Sequence, residues 1–382
     1  MRLSTDRILT THVGSLPRTH PGLIEALLKK DRGEAQDEGQ YARTIASAVD
    51  EVMTRQAAIG IDVPSDGEQS KVSYSTYMVD RLNGFGGDVP RKPALDLKDY
   101  PDFRARLAKM TGEQQFRRAS CIAPISVKSW EPLKADIANE LSAMRKAGYS
   151  EAFMNTASPG LISAFQTNQY YKTHEDYVFA LADAMREEYE LIAASGLLLQ
   201  LDCPDLAMAH HTGFQDLSEA DFLKRTALHV EAMNHALQNV PAEQCRMHIC
   251  WGNYEGPHDH DIALEKIAPI FLKAKPQAIL FEASNPRHDH EWAVWRELSI
   301  PDDKILVPGT ITSTSNYVEH PEFVAQHIER FAAIVGKSRV IAGTDCGFGT
   351  FAGTGKMDAG ISYKKLASLV EGAAIASRRL WP

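Results

Sequence analysis

The chain has 382 residues, 44% of them hydrophobic and 24% charged, with a formal net charge of −9. Those are ordinary globular proportions, and the acidic balance argues against nucleic acid or an anionic membrane as the main partner. No apolar run reaches the roughly 18 residues of a membrane span, and residues 1–7 lack an apolar signal core, so the sequence reads as cytoplasmic. Five cysteines in a chain this long point to metal or catalytic use rather than a disulfide framework.

Strand-like apolar runs alternate with amphipathic helical stretches nearly throughout. In chain order the runs are 9–15, 61–66, 119–127, 150–155, 197–202, 245–251, 278–283, 305–310 and 339–345, with helical patterns at 177–195, 220–238, 263–273, 324–335 and 363–377. The alternation predicts an α/β fold with a parallel sheet covered by helices. A single (β/α)8 TIM barrel over residues 1–382, with its chemistry on loops at the C-terminal strand ends, fits best. Nine runs is one too many. The run 150–155 is the expected surplus, because 151–171 is rich in Asn, Thr, Ser, Pro and Gly, and an insertion around 150–172 over the barrel mouth is predicted. Residues 22–53 read as a charged N-terminal helical extension, packed outside the barrel or across a partner, which allows a homodimer. The Gly- and Pro-rich stretch 84–97 reads as a long loop.

Four metal-ligand candidates stand at the ends of three runs. His248 and Cys250 share one strand face, since residues i and i+2 point the same way. Glu282 ends an apolar run, where a bare carboxylate is costly unless it is paired or ligating. Cys346 lies at a strand-to-loop transition between Asp345 and Gly347. Two sulfurs, one imidazole and one carboxylate form a tetrahedral Zn2+ set with a displaceable member, which suggests chemistry on a thiol. Cys121, Cys203 and Cys245 read as small buried hydrophobes. The pairs His258/His260 and His288/His290 read as polar loop residues, as groups supporting the ligands, or as a second metal site.

The order His-x-Cys, then Glu, then Asp-Cys-Gly resembles the catalytic barrel of the cobalamin-independent methionine synthases. Four further segments are similar to that family: His12–Arg18 (Gly-Ser-x-Pro), Ser65–Gln69 (Gly-Glu), Ala123–Trp130, and Leu199–Pro204. The resemblance implies Zn2+ on His248, Cys250, Glu282 and Cys346. It implies Glu68 and Asp202 on the ammonium of an amino-acid thiol, and Gly14 and Ser15 on its carboxylate. It implies Trp130 stacked on a flat donor such as a methylfolate, so that the partners are a small-molecule thiol and an alkyl donor. The default reaction is methyl transfer from 5-methyltetrahydrofolate to homocysteine.

Three departures qualify this. The second barrel of the family's longer members is absent. The loop after Cys250, with Asn316-Tyr-Val-Glu-His320 later, looks more like the short branch that includes epoxyalkane:coenzyme M transferases. Thr312 and Thr314 occupy places where the family has an Asp and a catalytic His, and hydroxyls do not act as general acids near neutral pH. Asp66, Glu68, His258 and His288 are the remaining acid candidates. Two other classes stay open: a porphyrinogen-decarboxylase-like lyase on the related barrel, and a non-enzymatic zinc-binding protein.

Overall fold

The computed structural model describes residues 1–87, 89, 92–111, 119–354 and 357–382. Nine strands are found among them: β1 (Leu9–Thr10), β2 (Leu82–Gly86), β3 (Ser120–Val127), β4 (Phe153–Ala157), β5 (Leu198–Asp202), β6 (Cys245–Ile249), β7 (Ala278–Phe281), β8 (Ile305–Pro308) and β9 (Ile341–Ala342). The fold is α/β and mostly parallel. Strands β4 to β8 form one parallel sheet in sequence order, and β1 pairs in parallel with β9. Single parallel bridges join Thr11 to Val63, Leu306 to Val340 and Gly309 to Gly343, and the Phe153 N–H donates to the Pro64 carbonyl at 2.9 Å.

The sheet strands are buried on both faces. Phe153, Met154 and Ala157 are all within 1% of complete burial, as strands sheathed by helices require. Long helices follow the strands, and three of them begin on a side-chain cap. Thr173 accepts from the Asp176 N–H, Ser218 from the Asp221 N–H and Asp358 from the Ile361 N–H.

Two expectations are corrected. The run around 150–155 is not an insertion: β4 sits in the main sheet beside β5. The outlying run is 119–127, whose strand β3 pairs antiparallel with β2. Its burial alternates along the strand, leaving Ile122 51% exposed, and it contains Pro124, which suits a ribbon with one solvated face. Likewise, the charged early segment is no appendage. The helix Glu38–Ile59 connects β1 to the run containing Val63, which bridges back to Thr11 in parallel, so it is the crossover of a βαβ unit. Its charged faces flank an apolar stripe of Ile45, Ala48, Val49, Val52 and Met53, all buried. Asp37 caps it by accepting from the Gln40 N–H at 2.7 Å, and Gly60 ends it with φ 93°. The stretch 84–97 falls partly outside the described residues. Among those described, it holds the end of β2 and the short helix Leu95–Lys98.

Inside the sheet lies a polar layer. Arg246 donates to the Thr11 hydroxyl at 2.9 Å and to the His12 carbonyl at 2.7 Å, with its guanidinium 3.8 Å from the Phe153 ring centre. Burial lowers this guanidinium to about 9. The layer underlies the site, because Arg246 and His248 share one face of β6.

Candidate metal centre and adjoining clefts

His248 lies on β6, Cys250 just beyond it, and Cys346 on the loop after β9. Their ligand atoms all fall within 4.8 Å of one another, and all three residues are buried. The two sulfurs are 3.8 Å apart. Two thiolates each about 2.3 Å from a tetrahedral ion stand about 3.8 Å apart, so the donor set fits zinc in chemistry and in spacing. The adjacent Cys346 sulfur and burial push the Cys250 thiol well above its ordinary value, while burial lowers His248 to about 4. A divalent cation is what would let two neighbouring thiolates exist here.

Glu282 stands beside this group rather than in it. One carboxylate oxygen accepts from the Trp251 N–H at 2.7 Å and the other from the Asn285 side chain at 2.8 Å. The loop carrying it is tied down by Asp345. That carboxylate accepts from the N–H groups of Ala283 and Ser284 at 2.9 Å and of Asn285 at 3.0 Å, and from the Asn285 amide at 3.1 Å. One residue thus joins the Glu282 loop to Cys346.

A small cavity opens on the three ligands and is lined also by Ser15, Glu68 and Asp202. Glu68 takes the left-handed conformation, φ 57°, with its N–H on Asp66 Oδ1 at 2.8 Å. One of its carboxylate oxygens is buried without a partner. Burial, opposed by Lys71 and reinforced by Asp202, raises Glu68 to about 7. Burial raises Asp202 to about 6, against hydrogen bonds from Gln200 and Asn155. The pair thus offers buried carboxylate oxygens, one of them with no hydrogen-bond partner, to the cavity. Gly14 is needed for close packing: at φ 143°, a Cβ there would lie 2.1 Å from Asn155 Oδ1. Its N–H bonds to His12 Nδ1 at 3.1 Å. Asp66 supports Glu68 and lines neither this cavity nor the larger one.

The larger cavity, about 570 Å³, adjoins the small one; Tyr74, Asn253, Gly347 and Thr350 line both. Its walls include Phe165, Phe348, Phe351 and Met357. Sequence reasoning missed this aromatic wall, whose rings come from segments far apart in the chain. Trp130, expected to stack on a donor, lies elsewhere. It precedes the helix Glu131–Lys146, and its indole N–H donates to Glu187 at 2.7 Å. It follows the outer ribbon, not a strand of the main sheet.

The two histidines singled out by sequence meet at a buried carboxylate. His258 Nδ1 is 3.1 Å and His288 Nε2 3.3 Å from Asp261, and His211 Nδ1 also faces it at 3.4 Å. His288 Nδ1 is 2.9 Å from Glu291, and its ring packs on Trp251. Neither His258 nor His288 lines the two cavities. Burial works to lower His288, but bonds to Asp261 and Glu291 override it and hold its pKa at about 10. A His raised in the folded state stabilises fully below its unfolded pKa of about 6.5 and loses that contribution as pH rises through the folded value. The wild type is therefore expected to exceed His288→Gln in stability at pH 6, with the margin shrinking between about pH 6.5 and 10. Chemical denaturation across that range checks this, and a margin that widens with pH would contradict it.

Comparison with known proteins finds the following similarities. Residues 8–89 match the family model described as the cobalamin-independent synthase catalytic domain. The methionine synthase of Saccharolobus solfataricus is 26% identical over 377 residues, covering 97% of this chain and 95% of that one. The methionine synthase of Thermococcus kodakarensis is 24% identical over 373 residues, covering 97% and 94%. Among solved structures, a B12-independent methionine synthase from Shewanella sp. W3-18-1, in complex with selenomethionine, superposes with a TM-score of 0.72 at 19% identity, covering 98% of this chain and 99% of that one.

Proposed function

We propose, from its similarity to the cobalamin-independent methionine synthases, that the chain is a zinc-dependent transferase that moves a methyl or other alkyl group onto the sulfur of a small amino-acid thiol. The observation that carries this is the convergence of His248, Cys250 and Cys346 on one cavity shared with Glu68 and Asp202. We read the scaffold as one eight-stranded barrel. The parallel bridges from β1 to Val63 and from β8 to β9 support that reading, as does the Phe153–Pro64 hydrogen bond.

When bound, zinc supplies the Lewis acidity that keeps an incoming thiol ionised at neutral pH. The protein's residues do the rest. His248 and the two cysteines fix where the acceptor sulfur lies. Glu68 and Asp202 orient the substrate through its ammonium. Glu282, already satisfied by Trp251 and Asn285, leaves the sulfur's approach open. Holding acceptor and donor in line accounts for about 7–11 kcal/mol of barrier lowering. Homocysteine fits better than a sulfonate thiol, because a sulfonate would meet two carboxylates with no cation of its own to offer them.

The acceptor is tested by comparing homocysteine with 4-mercaptobutyrate, which lacks the amine. Glu68→Gln is expected to raise KM for homocysteine about 10- to 100-fold, the value of a charge-assisted bond of roughly 1.5–3 kcal/mol, and to leave 4-mercaptobutyrate unaffected. Glu68 must be ionised to hold an ammonium, so KM for homocysteine should also climb as pH falls below about 7. Equal use of the two thiols by the wild type would remove the ammonium role from Glu68.

A further inference from the structure

We propose that Arg18 is a positioning residue that sets the distance between Glu68 and Cys346, and so selects the chain length of the acceptor thiol. This rests on the thiol-alkylation reading above and names the residue behind its acceptor specificity. Arg18 is buried on the loop after β1. Its guanidinium donates in two directions. One terminal nitrogen bonds the Glu68 carbonyl at 2.9 Å and the Lys71 carbonyl at 2.7 Å. The other bonds the carbonyl of Gly349, three residues beyond Cys346. One planar group thus clasps the loop of the cavity's acid and the loop of a metal ligand.

The segment carrying Arg18 is wedged between those two loops. On one side the Leu16 N–H donates to the Gly67 carbonyl at 3.1 Å, and the Gln69 side-chain amide donates to the Leu16 carbonyl at 3.2 Å. On the other, the Phe348 N–H donates to the Ser15 carbonyl at 2.8 Å. A Cβ on Gly347 would lie 2.0 Å from Ser15 Oγ, and one on Gly349 2.6 Å from the Leu16 carbonyl oxygen. The clasp matters most at Glu68. Its φ of 57° is a strained state for a residue with a side chain, kept only where the surroundings over-determine it. Its N–H is held by Asp66 and its carbonyl by Arg18 and the Lys71 N–H, the last at 3.2 Å. An amino-acid thiol has to reach Glu68 with its ammonium and the metal ligands with its sulfur, and both line one cavity. With both loops tied to one rigid fork, that span is fixed, and a chain one methylene shorter or longer misses one end. Lysine is no substitute: its ammonium is a point charge without the two-sided fork.

Calorimetric titration of the zinc-loaded protein with cysteine, homocysteine and 2-amino-5-mercaptopentanoate, a series growing by one methylene at a time, tests this without an alkyl donor. The wild type is expected to bind homocysteine at least about 10-fold more tightly than either neighbour, the lower end of what one methylene decides in a fitted pocket. Arg18→Lys is expected to keep its zinc while that preference falls to about 3-fold or less. A merely structural Arg18 would weaken all three thiols together and leave the preference intact, and that result would overturn the proposal. Should Arg18→Lys not fold, Arg18→Gln, which keeps an amide donor toward one loop, is expected to show the same loss of preference. Equal binding of the three thiols by the wild type would overturn the proposal with no variant needed, and leave the thiol reading standing. Binding of none of them would overturn both.

Discussion

Cys250→Ser and Cys346→Ser are each expected to lose the metal and nearly all thiol alkylation. The two sulfurs are 3.8 Å apart and are buried together with His248. A serine hydroxyl is a far poorer ligand for zinc than a thiolate. Loss of an outer partner of a metal ligand already costs about 10- to 100-fold in affinity, so loss of a ligand should exceed about 100-fold. The activity follows from ionisation. A thiol with an ordinary pKa of about 8.5 is only about 3% thiolate at pH 7, which is a loss of about 30-fold before positioning is counted. With positioning gone as well, a fall of at least about 1,000-fold is expected. Cys245→Ser is the control. Cys245 lies at the start of β6, and its thiol donates to the Pro241 carbonyl at 3.3 Å, so its replacement should change stability and not zinc content. Metal analysis and thiol-alkylation assays on the three variants decide the point.

The second large effect is expected from Asp345→Asn, a residue that touches no substrate. Its carboxylate gathers three backbone N–H groups and the Asn285 amide. Burial and Glu282 push its carboxyl up to about 7, against the pull of those donors, so at pH 8 it is charged. An asparagine amide turns at least one N–H toward those donors and leaves buried groups unsatisfied, at about 1–3 kcal/mol each. A destabilisation of about 2–5 kcal/mol follows, together with about 10- to 100-fold weaker zinc binding as the Cys346 segment and the Glu282 loop lose their shared anchor. Denaturation and a competitive zinc titration at pH 8 measure the two effects separately. Weakened zinc binding is the part that a purely structural Asp345 would not produce.

The sequence carried the ligand set because strand geometry is simple. The i, i+2 spacing of His248 and Cys250, and the strand-to-loop position of Cys346, are local facts, and the three groups do meet. The state of Glu282 was not legible. It depends on where Asp345, 63 positions along the chain, fixes the loop after β7. The outer ribbon was misread for a related reason. Residues 119–127 and 150–155 have similar apolar content, and what separates them is the alternation in β3 and its Pro124, which periodicity weighs more reliably than composition. Trp130 went astray with that ribbon. The aromatic wall of Phe165, Phe348 and Phe351 has no local pattern, because segments far apart in the chain deliver it. The convergence of His211 on the Asp261 carboxylate shared by His258 and His288 is likewise visible only in three dimensions.

X-ray absorption on zinc-loaded protein, with and without homocysteine, tests the central claim most directly. The account predicts one zinc per chain, with two sulfur neighbours rising to three when the thiol is added. Substoichiometric zinc after careful loading, or a sulfur count that does not change with homocysteine, would contradict it.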